Sequence, residues 1–139
     1  MTMLSKTTQL EIQFGDCDPA GIVYYPNYFH FGSNATAGLL AGAIGMHKRD
    51  WVAHYGSAGI PMVDIGARFF KPSLYGDIVE IRSEITAIGR SSFSVGHTFF
   101  NAGELAVELR EKRVWTVFDE KNIIRSAPLP DAIRKILGG

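Results

Sequence analysis

Phe14-Gly-Asp-Cys-Asp-Pro-Ala-Gly-Ile-Val-Tyr-Tyr-Pro-Asn-Tyr28 is the stretch across which the chain changes its periodicity, and the fold follows from what lies on either side of it. Before it, Leu10-Glu-Ile-Gln-Phe14 alternates apolar and polar residues, the period of a half-buried strand. Within it, Gly15 to Gly21 collects Gly, Asp and Pro, which supply turn geometry and local side-chain-to-backbone bonds. After it, Pro26 and Asn27 read as a helix start with Asn27 as N-cap, and Phe31, Ala35, Gly38, Leu39 and Gly42 fall near one face of the helix. Glycine costs about 1 kcal/mol per helical position. A helix so rich in Gly and Ala therefore predicts that a sheet approaches it closely. A short helical piece over Lys48 to Tyr55 ends at Gly56.

Further out, strands dominate. Met62 to Phe70 is mostly apolar and stops at Lys71-Pro-Ser-Leu-Tyr-Gly76. Asp77 to Ile88 alternates, with Val79, Ile81 and Ile85 on one side and Glu80, Arg82 and Glu84 on the other. Gly89-Arg-Ser-Ser92 breaks the pattern. Phe93, Val95, His97 and Phe99 then share a face, and Asn101-Ala-Gly103 turns the chain into a strand over Glu104 to Asp119, closed by Asp119-Glu-Lys-Asn122. The tail places Ile133, Ile136 and Leu137 on one helical face. Strand, long helix, consecutive antiparallel strands and a terminal helix make an α+β fold, one long helix laid across an antiparallel sheet, in a single domain over 1–139. An antiparallel sheet leaves an edge, so a homodimer is the minimum expectation, with a tetramer favoured.

Bulk properties narrow the function classes. A chain of 139 residues with 46% hydrophobic content fills one core. Lys plus Arg and Asp plus Glu number 14 each, so no global field favours nucleic acid. The N-terminus lacks an apolar signal region and no apolar run approaches the ~18 residues of a membrane span. One cysteine, Cys17, excludes an internal disulfide and suits a reducing compartment, so a cytoplasmic address without membrane partners is expected. His30, His47, His54 and His97 show no ligand spacing, and no metal or cofactor is assigned.

Phe14 to Tyr28 resembles the 4-hydroxybenzoyl-CoA thioesterase family of hot-dog enzymes, and the similarity continues more loosely through the strand pattern to the terminal helix. The resemblance implies a hot-dog fold, a sheet wrapped around one central helix. It also implies hydrolysis of acyl-CoA at a site between subunits without metal or cofactor. The second Asp of Gly-Asp-x-Asp, here Asp18, is then the catalytic carboxylate. Many relatives in the wider family carry a histidine seven residues later, where this chain has Tyr25; the aryl-CoA branch does not rely on that histidine, so Tyr24 and Tyr25 favour an aromatic acyl group. Gly89-Arg-Ser-Ser92 aligns with the segment that contacts the nucleotide of coenzyme A, making Arg90, Ser91 and Ser92 substrate-binding candidates.

The chemistry is sound on its own terms. Thiols have pKa values of about 8.5 against about 15.7 for water, so a coenzyme A thiolate leaves without strong acid assistance and one carboxylate can suffice. It attacks the carbonyl itself or activates a water. The oxyanion needs donors, and the Tyr25 amide is the candidate by its position. An Asx-turn is the competing reading for Asp18, and a structural role is the favoured one for Asp16. In an extended turn Cys17 faces away from Asp18 and reads as an inert thiol. Asp64 interrupts an apolar strand and could reach a polar group on the acyl moiety, against the plainer reading of a solvent-facing rim. Arg90 can hold phosphate bidentately, although a polar turn would look the same. Lys71, Arg110, Lys112 and Arg113 are further phosphate candidates among charges that are mostly solvated. A hot-dog hydratase or dehydratase, which would want a histidine base, and a non-catalytic acyl-CoA binding domain are the rival functions.

Overall fold

The alternating stretches become the strands of one antiparallel sheet, in a computed structural model that describes residues 2–139. The elements run β1 (Ser5–Glu11), a 3-10 turn (Phe14–Asp16), α1 (Asn27–Ile44), α2 (Lys48–His54), β2 (Met62–Phe69), β3 (Ile78–Ile88), β4 (Ser92–Asn101), β5 (Glu104–Val114), β6 (Thr116–Phe118), β7 (Ile124–Ser126) and α3 (Asp131–Leu137). Strand order is β1-β3-β4-β5-β2, while β6 and β7 form a separate hairpin. The two edges differ in chemistry. β1 offers Ser5-Lys-Thr-Thr-Gln, whereas β2 offers Met62-Val-Asp-Ile-Gly-Ala-Arg-Phe69 with Val63 and Phe69 exposed.

α1 packs on the inner face of the sheet. Alternation decides which residues meet it: Phe93, Val95, His97 and Phe99 of β4 and Val107, Leu109 and Glu111 of β5 are buried. The close approach foreseen from the small residues occurs at Gly32, where an added Cβ would collide with Leu109 Cδ2. Gly38 and Gly42, expected on the buried face, are instead exposed. Two apolar clusters fill the interior, one around Trp51, Phe93, Trp115, Leu129 and Leu137 and the other around Ile12, Val23, Tyr28, Phe31, Phe99 and Val107.

A polar network ties helix to sheet, built on His97, which its strand position marks as a hydrogen-bonded core or interface residue. Thr36 on α1 donates its hydroxyl proton to Glu111 Oε1 at 2.6 Å. It therefore accepts from His97 Nε2 at 3.0 Å, and His97 Nδ1 faces the Ser83 hydroxyl at 2.7 Å. Arg113 donates from Nε to Glu111 Oε1 at 3.0 Å, and from its terminal nitrogens to the Ile60 carbonyl at 3.1 Å and the Ser33 hydroxyl at 3.3 Å. Arg113, a candidate for phosphate, is thus buried and committed to Glu111.

Other expectations shift. Phe14 leaves the first strand and opens the 3-10 turn, because Asp16 caps the backbone there. Pro26, not Asn27, takes the N-cap position of α1, and the Asn27 amide donates to the Asp16 carbonyl at 2.8 Å. The strand expected over Glu104 to Asp119 is interrupted at Trp115, whose ring stacks on Trp51 at 5.7 Å while its N–H turns to the Ser91 carbonyl.

Burial pushes the Glu111 carboxyl up, but hydrogen bonds from His97, Arg113 and Thr36 outweigh it and hold the pKa at about 2, below the ordinary 4.5. A depressed folded-state pKa contributes stability that is present above the unfolded value and lost as pH falls through the folded one. Thermal unfolding should therefore show stability falling by about 3 kcal/mol between about pH 4.5 and pH 2, and Glu111→Gln should flatten that dependence. An unchanged pH profile in a folded Glu111→Gln variant would place the acid sensitivity elsewhere.

Candidate active site

The loop from Phe14 to Tyr28 is held by its own backbone and by one neighbouring segment. Cys17 and Val23 form an antiparallel bridge, Asp18 N–H donates to the Ile22 carbonyl at 2.9 Å, and Gly21 N–H donates to the Asp18 carbonyl at 2.9 Å. Asp18-Pro-Ala-Gly21 is thus a tight turn, with Pro19 at its favoured position and Gly21 at φ +80°. Ile22 bridges Leu74 and Val23 N–H donates to the Ser73 carbonyl, which docks the loop on the β2–β3 connection.

Asp18 is half-buried. Its Oδ1 accepts from Ala20 N–H at 2.9 Å, the Asx-turn geometry, while among the described residues Oδ2 has no hydrogen-bond donor. One carboxylate oxygen therefore shapes the turn and the other is free for chemistry. Asp16 differs: its Oδ2 accepts from Gln13 N–H at 2.8 Å, and its carbonyl takes both Tyr24 N–H at 2.9 Å and the Asn27 amide. Cys17 is half-buried, directs Sγ to the Gln13 carbonyl at 3.6 Å, and packs with the cluster around Tyr28.

Tyr25 stands at the start of α1. Its carbonyl accepts from Tyr28 N–H, but among the described residues its own N–H donates to no acceptor. An unbonded amide at the positive end of an 18-residue helix is a donor set for a developing negative charge. Beside it opens an apolar cleft of about 380 Å³ walled by Ile22, Val23, Tyr25, Tyr28, Phe69 and Lys71. Tyr25 and Tyr28 meet Phe69 at ring separations of 6.3 and 5.7 Å. Burial raises the pKa of Tyr28, partly offset by the neighbouring Ser73 hydroxyl, so its phenol stays protonated.

The remaining sequence candidates are not gathered here. Tyr24 rests edge-on against Tyr25 at 5.6 Å, outside the cleft lining and exposed. Asp64 alternates onto the outer face of the sheet with Gly66 and Arg68, opposite Lys112 in register, so it does not reach the cleft. Arg90, Ser91 and Ser92 form the β3–β4 turn at the far end of the sheet, where Arg134 donates to the Gly89 and Arg90 carbonyls. β3 has 11 residues, about 36 Å of chain, between that turn and the Asp18 end. A single subunit does not join the two. Lys71 lines the cleft and pairs with Glu104 at 2.9 Å. The site contributors that the sequence reading passed over are Tyr28, read only as the end of the loop motif, and Phe69, read only as part of a mostly apolar strand. No group of His, Cys, Asp and Glu among the described residues could hold a metal, and no helix is long and apolar enough to cross a membrane.

Residues 12–137 match the model of the thioesterase-like superfamily. The 4-hydroxybenzoyl-CoA thioesterase of Pseudomonas sp. strain CBS-3 is 32% identical over 124 residues, 86% of this chain and 88% of the relative. Its solved structure superposes with a TM-score of 0.87 at 31% identity, covering 95% of this chain and 98% of that one. A 1,4-dihydroxy-2-naphthoyl-CoA hydrolase of Synechococcus elongatus is 34% identical over 89 residues, 64% of this chain and 65% of the relative. The structure of a gentisyl-coenzyme A thioesterase gives a TM-score of 0.80 at 32% identity, covering 93% of this chain and 99% of that one.

Because Asp16 and Asn27 act on backbone groups, Asn27→Ala should lower unfolding stability by about 1 kcal/mol. Calorimetry checks this, and an unchanged melting temperature would show that the Asn27 to Asp16 tie contributes nothing.

Proposed function

The chain belongs to the thioesterase-like superfamily, and from that membership we propose that it hydrolyses aromatic acyl-CoA thioesters with Asp18 as the reacting carboxylate. The observation that supports this reading most is the division of labour within Asp18: Oδ1 is tied to Ala20 N–H while Oδ2 has no donor among the described residues, and the same loop carries the Tyr25 N–H, likewise unpaired among them, and the Ile22, Val23 and Tyr25 wall of the apolar cleft. A ring seated among Tyr25, Tyr28 and Phe69 gains edge-to-face contacts of about 1 kcal/mol each beyond area burial. Its carbonyl oxygen accepts from Tyr25 N–H. Oδ2 then either attacks the carbonyl carbon, giving a mixed anhydride that water later opens, or takes a proton from the attacking water. Either way negative charge collects on the carbonyl oxygen beside the helix N-terminus, the C–S bond breaks, and coenzyme A departs as a thiolate. The products are the free acid and coenzyme A.

The edges favour one assembly. β2 is the apolar edge, and pairing it antiparallel with a second copy through a two-fold at its centre sets Met62 beside Phe69 of the partner subunit. β4 starts at Ser92, level with Val114 and hence near the Met62 end of β2. The two-fold therefore carries Arg90, Ser91 and Ser92 of the partner subunit toward this subunit's Asp18 end, where they can take coenzyme A phosphates. Asp64 stays on the outer face and is left out of the site. We place the enzyme in the cytoplasm as a homodimer or a tetramer built from two such dimers, on the strength of its free cysteine and open apolar edge.

Asp18→Asn keeps an oxygen for Ala20 N–H and removes the anionic one, so kcat should fall at least ~10²-fold at nearly unchanged KM. A folded variant retaining more than about a tenth of the wild-type kcat would falsify the mechanism. The readout is thiol release across benzoyl-, hydroxybenzoyl-, phenylacetyl- and fatty acyl-CoA; loss of enoyl absorbance instead would indicate a hydratase, and binding without turnover a binding domain. Arg90→Ala should raise KM for full acyl-CoA more than for the pantetheine thioester, which lacks the nucleotide phosphates. Equal changes would remove Arg90 from the phosphate site.

A further inference from the structure

Two groups of large apolar side chains stand in solvent at opposite ends of the sheet. One follows β2 along the rim of the cleft: Phe70, Leu74 and Tyr75 are 55%, 50% and 62% exposed, and Phe14 lies against Tyr75 at 5.8 Å. The other is the β6–β7 hairpin, where Phe118, Ile123 and Ile124 are 53%, 48% and 53% exposed. Phe118 and Ile124 are register partners, so they share a face. The hairpin tip is a built turn. Asp119 Oδ1 accepts from Lys121 and Ile123 N–H at 2.9 Å each, and Oδ2 accepts from Arg125 Nε at 3.0 Å. Contiguous exposed apolar side chains on a fixed frame mark a contact surface.

One operation covers both groups. The sheet edge runs on from β2 toward the hairpin, because Val114 N–H donates to the Pro61 carbonyl and Gly59 is bridged to Thr116 at the hairpin base. Antiparallel pairing of β2 with a second copy reverses that direction, so the Gly59 end of one subunit stands level with the chain just beyond Phe69 of the partner subunit. Area argues for the same contact. An eight-residue strand edge is about 27 Å long. At a width of about 10 Å it covers about 270 Å², a third of the ~800 Å² per partner in a stable interface. The rest has to come from surfaces flanking the paired edges, and the hairpin is an exposed apolar one that continues this edge.

We propose that the β6–β7 hairpin of each subunit packs on the Phe70 to Tyr75 segment of the other, so that Phe118, Ile123 and Ile124 form the outer wall of the partner's acyl cleft. This rests on the dimer and on the Asp18 chemistry proposed above. It makes each site depend on an apolar clamp from the neighbouring chain, one that excludes water from the bound acyl group.

Subunit mixing tests it. Light scattering first establishes that the wild-type chain is at least dimeric; a fully active monomer would sink the dimer itself rather than the clamp alone. The double variant Phe118→Glu/Ile124→Glu, checked for folding by circular dichroism, should lose at least about tenfold in kcat/KM as a homodimer. Heterodimers with Asp18→Asn subunits, isolated through two affinity tags, should regain wild-type rate at one site. There the surviving Asp18 is covered by the intact hairpin of the Asp18→Asn subunit. If the hairpin serves its own chain's site, the heterodimer stays as poor as its parents and the proposal fails. A folded double variant with wild-type kcat/KM also overturns it. Should the double variant not fold, Ile123→Ser at the tip carries the same comparison.

Discussion

Everything described depends on the contact between α1 and the inner face of the sheet at Gly32. A Cβ there would collide with Leu109, so the helix axis sits closer to β5 than any larger residue would permit. At that distance Thr36 and Ser33 reach Glu111 and Arg113, and His97 completes the link to β3 through Ser83. Taking Glu111 and Arg113 out of water is expensive, and pairing alone does not recover it. What the network supplies is a defined position, because rotating or sliding α1 would leave buried charge without partners. One Glu111 oxygen already has none among the described residues.

That position is handed along the helix to its first turn. Tyr25 N–H has no acceptor among the described residues at the helix start, and the loop before it is fixed by the Cys17 to Val23 bridge and the docking of Ile22 and Val23 on the β2–β3 connection. Asp18 Oδ2 and Tyr25 N–H, neither paired among the described residues, thus stand on a loop that these backbone ties hold in place. Unsatisfied groups on an otherwise rigid frame are what a reacting carbonyl requires.

Much of this was legible in the sequence, and the reasons differ by residue. Alternation in Asp77 to Ile88 and Phe93 to Phe99 marked the core strands because each side chain's face follows from its parity. The Asp-Pro-x-Gly turn was readable because only a few residue types satisfy its geometry. Glu111 and Arg113 were not readable, since charges in an alternating strand look identical whether they face water or a partner two strands or a helix away. Helix phase was also opaque: small residues occur all round α1, and only the sheet's position shows that Gly32, not Gly38, is the one in contact. Asp64 resembled a site residue in type, yet the face it takes follows only from the pairing of β2 with β5, and the separation of Arg90 from Asp18 only from the length of β3.

The unlike edges of the sheet have a consequence for growth. A sheet permissive on both sides can add copies at either end and extend without limit into a filament. Here β1 presents Lys6 among Ser, Thr and Gln, side chains that keep their own water and resist an approaching strand, while β2 carries Met62, Val63, Ile65 and Phe69 beside Asp64 and Arg68. When two copies join through β2, each uses up its permissive side and turns its forbidding side outward. In the proposed dimer, strand addition then stops at two, and the chemistry of one exposed strand acts as a chain terminator for the other.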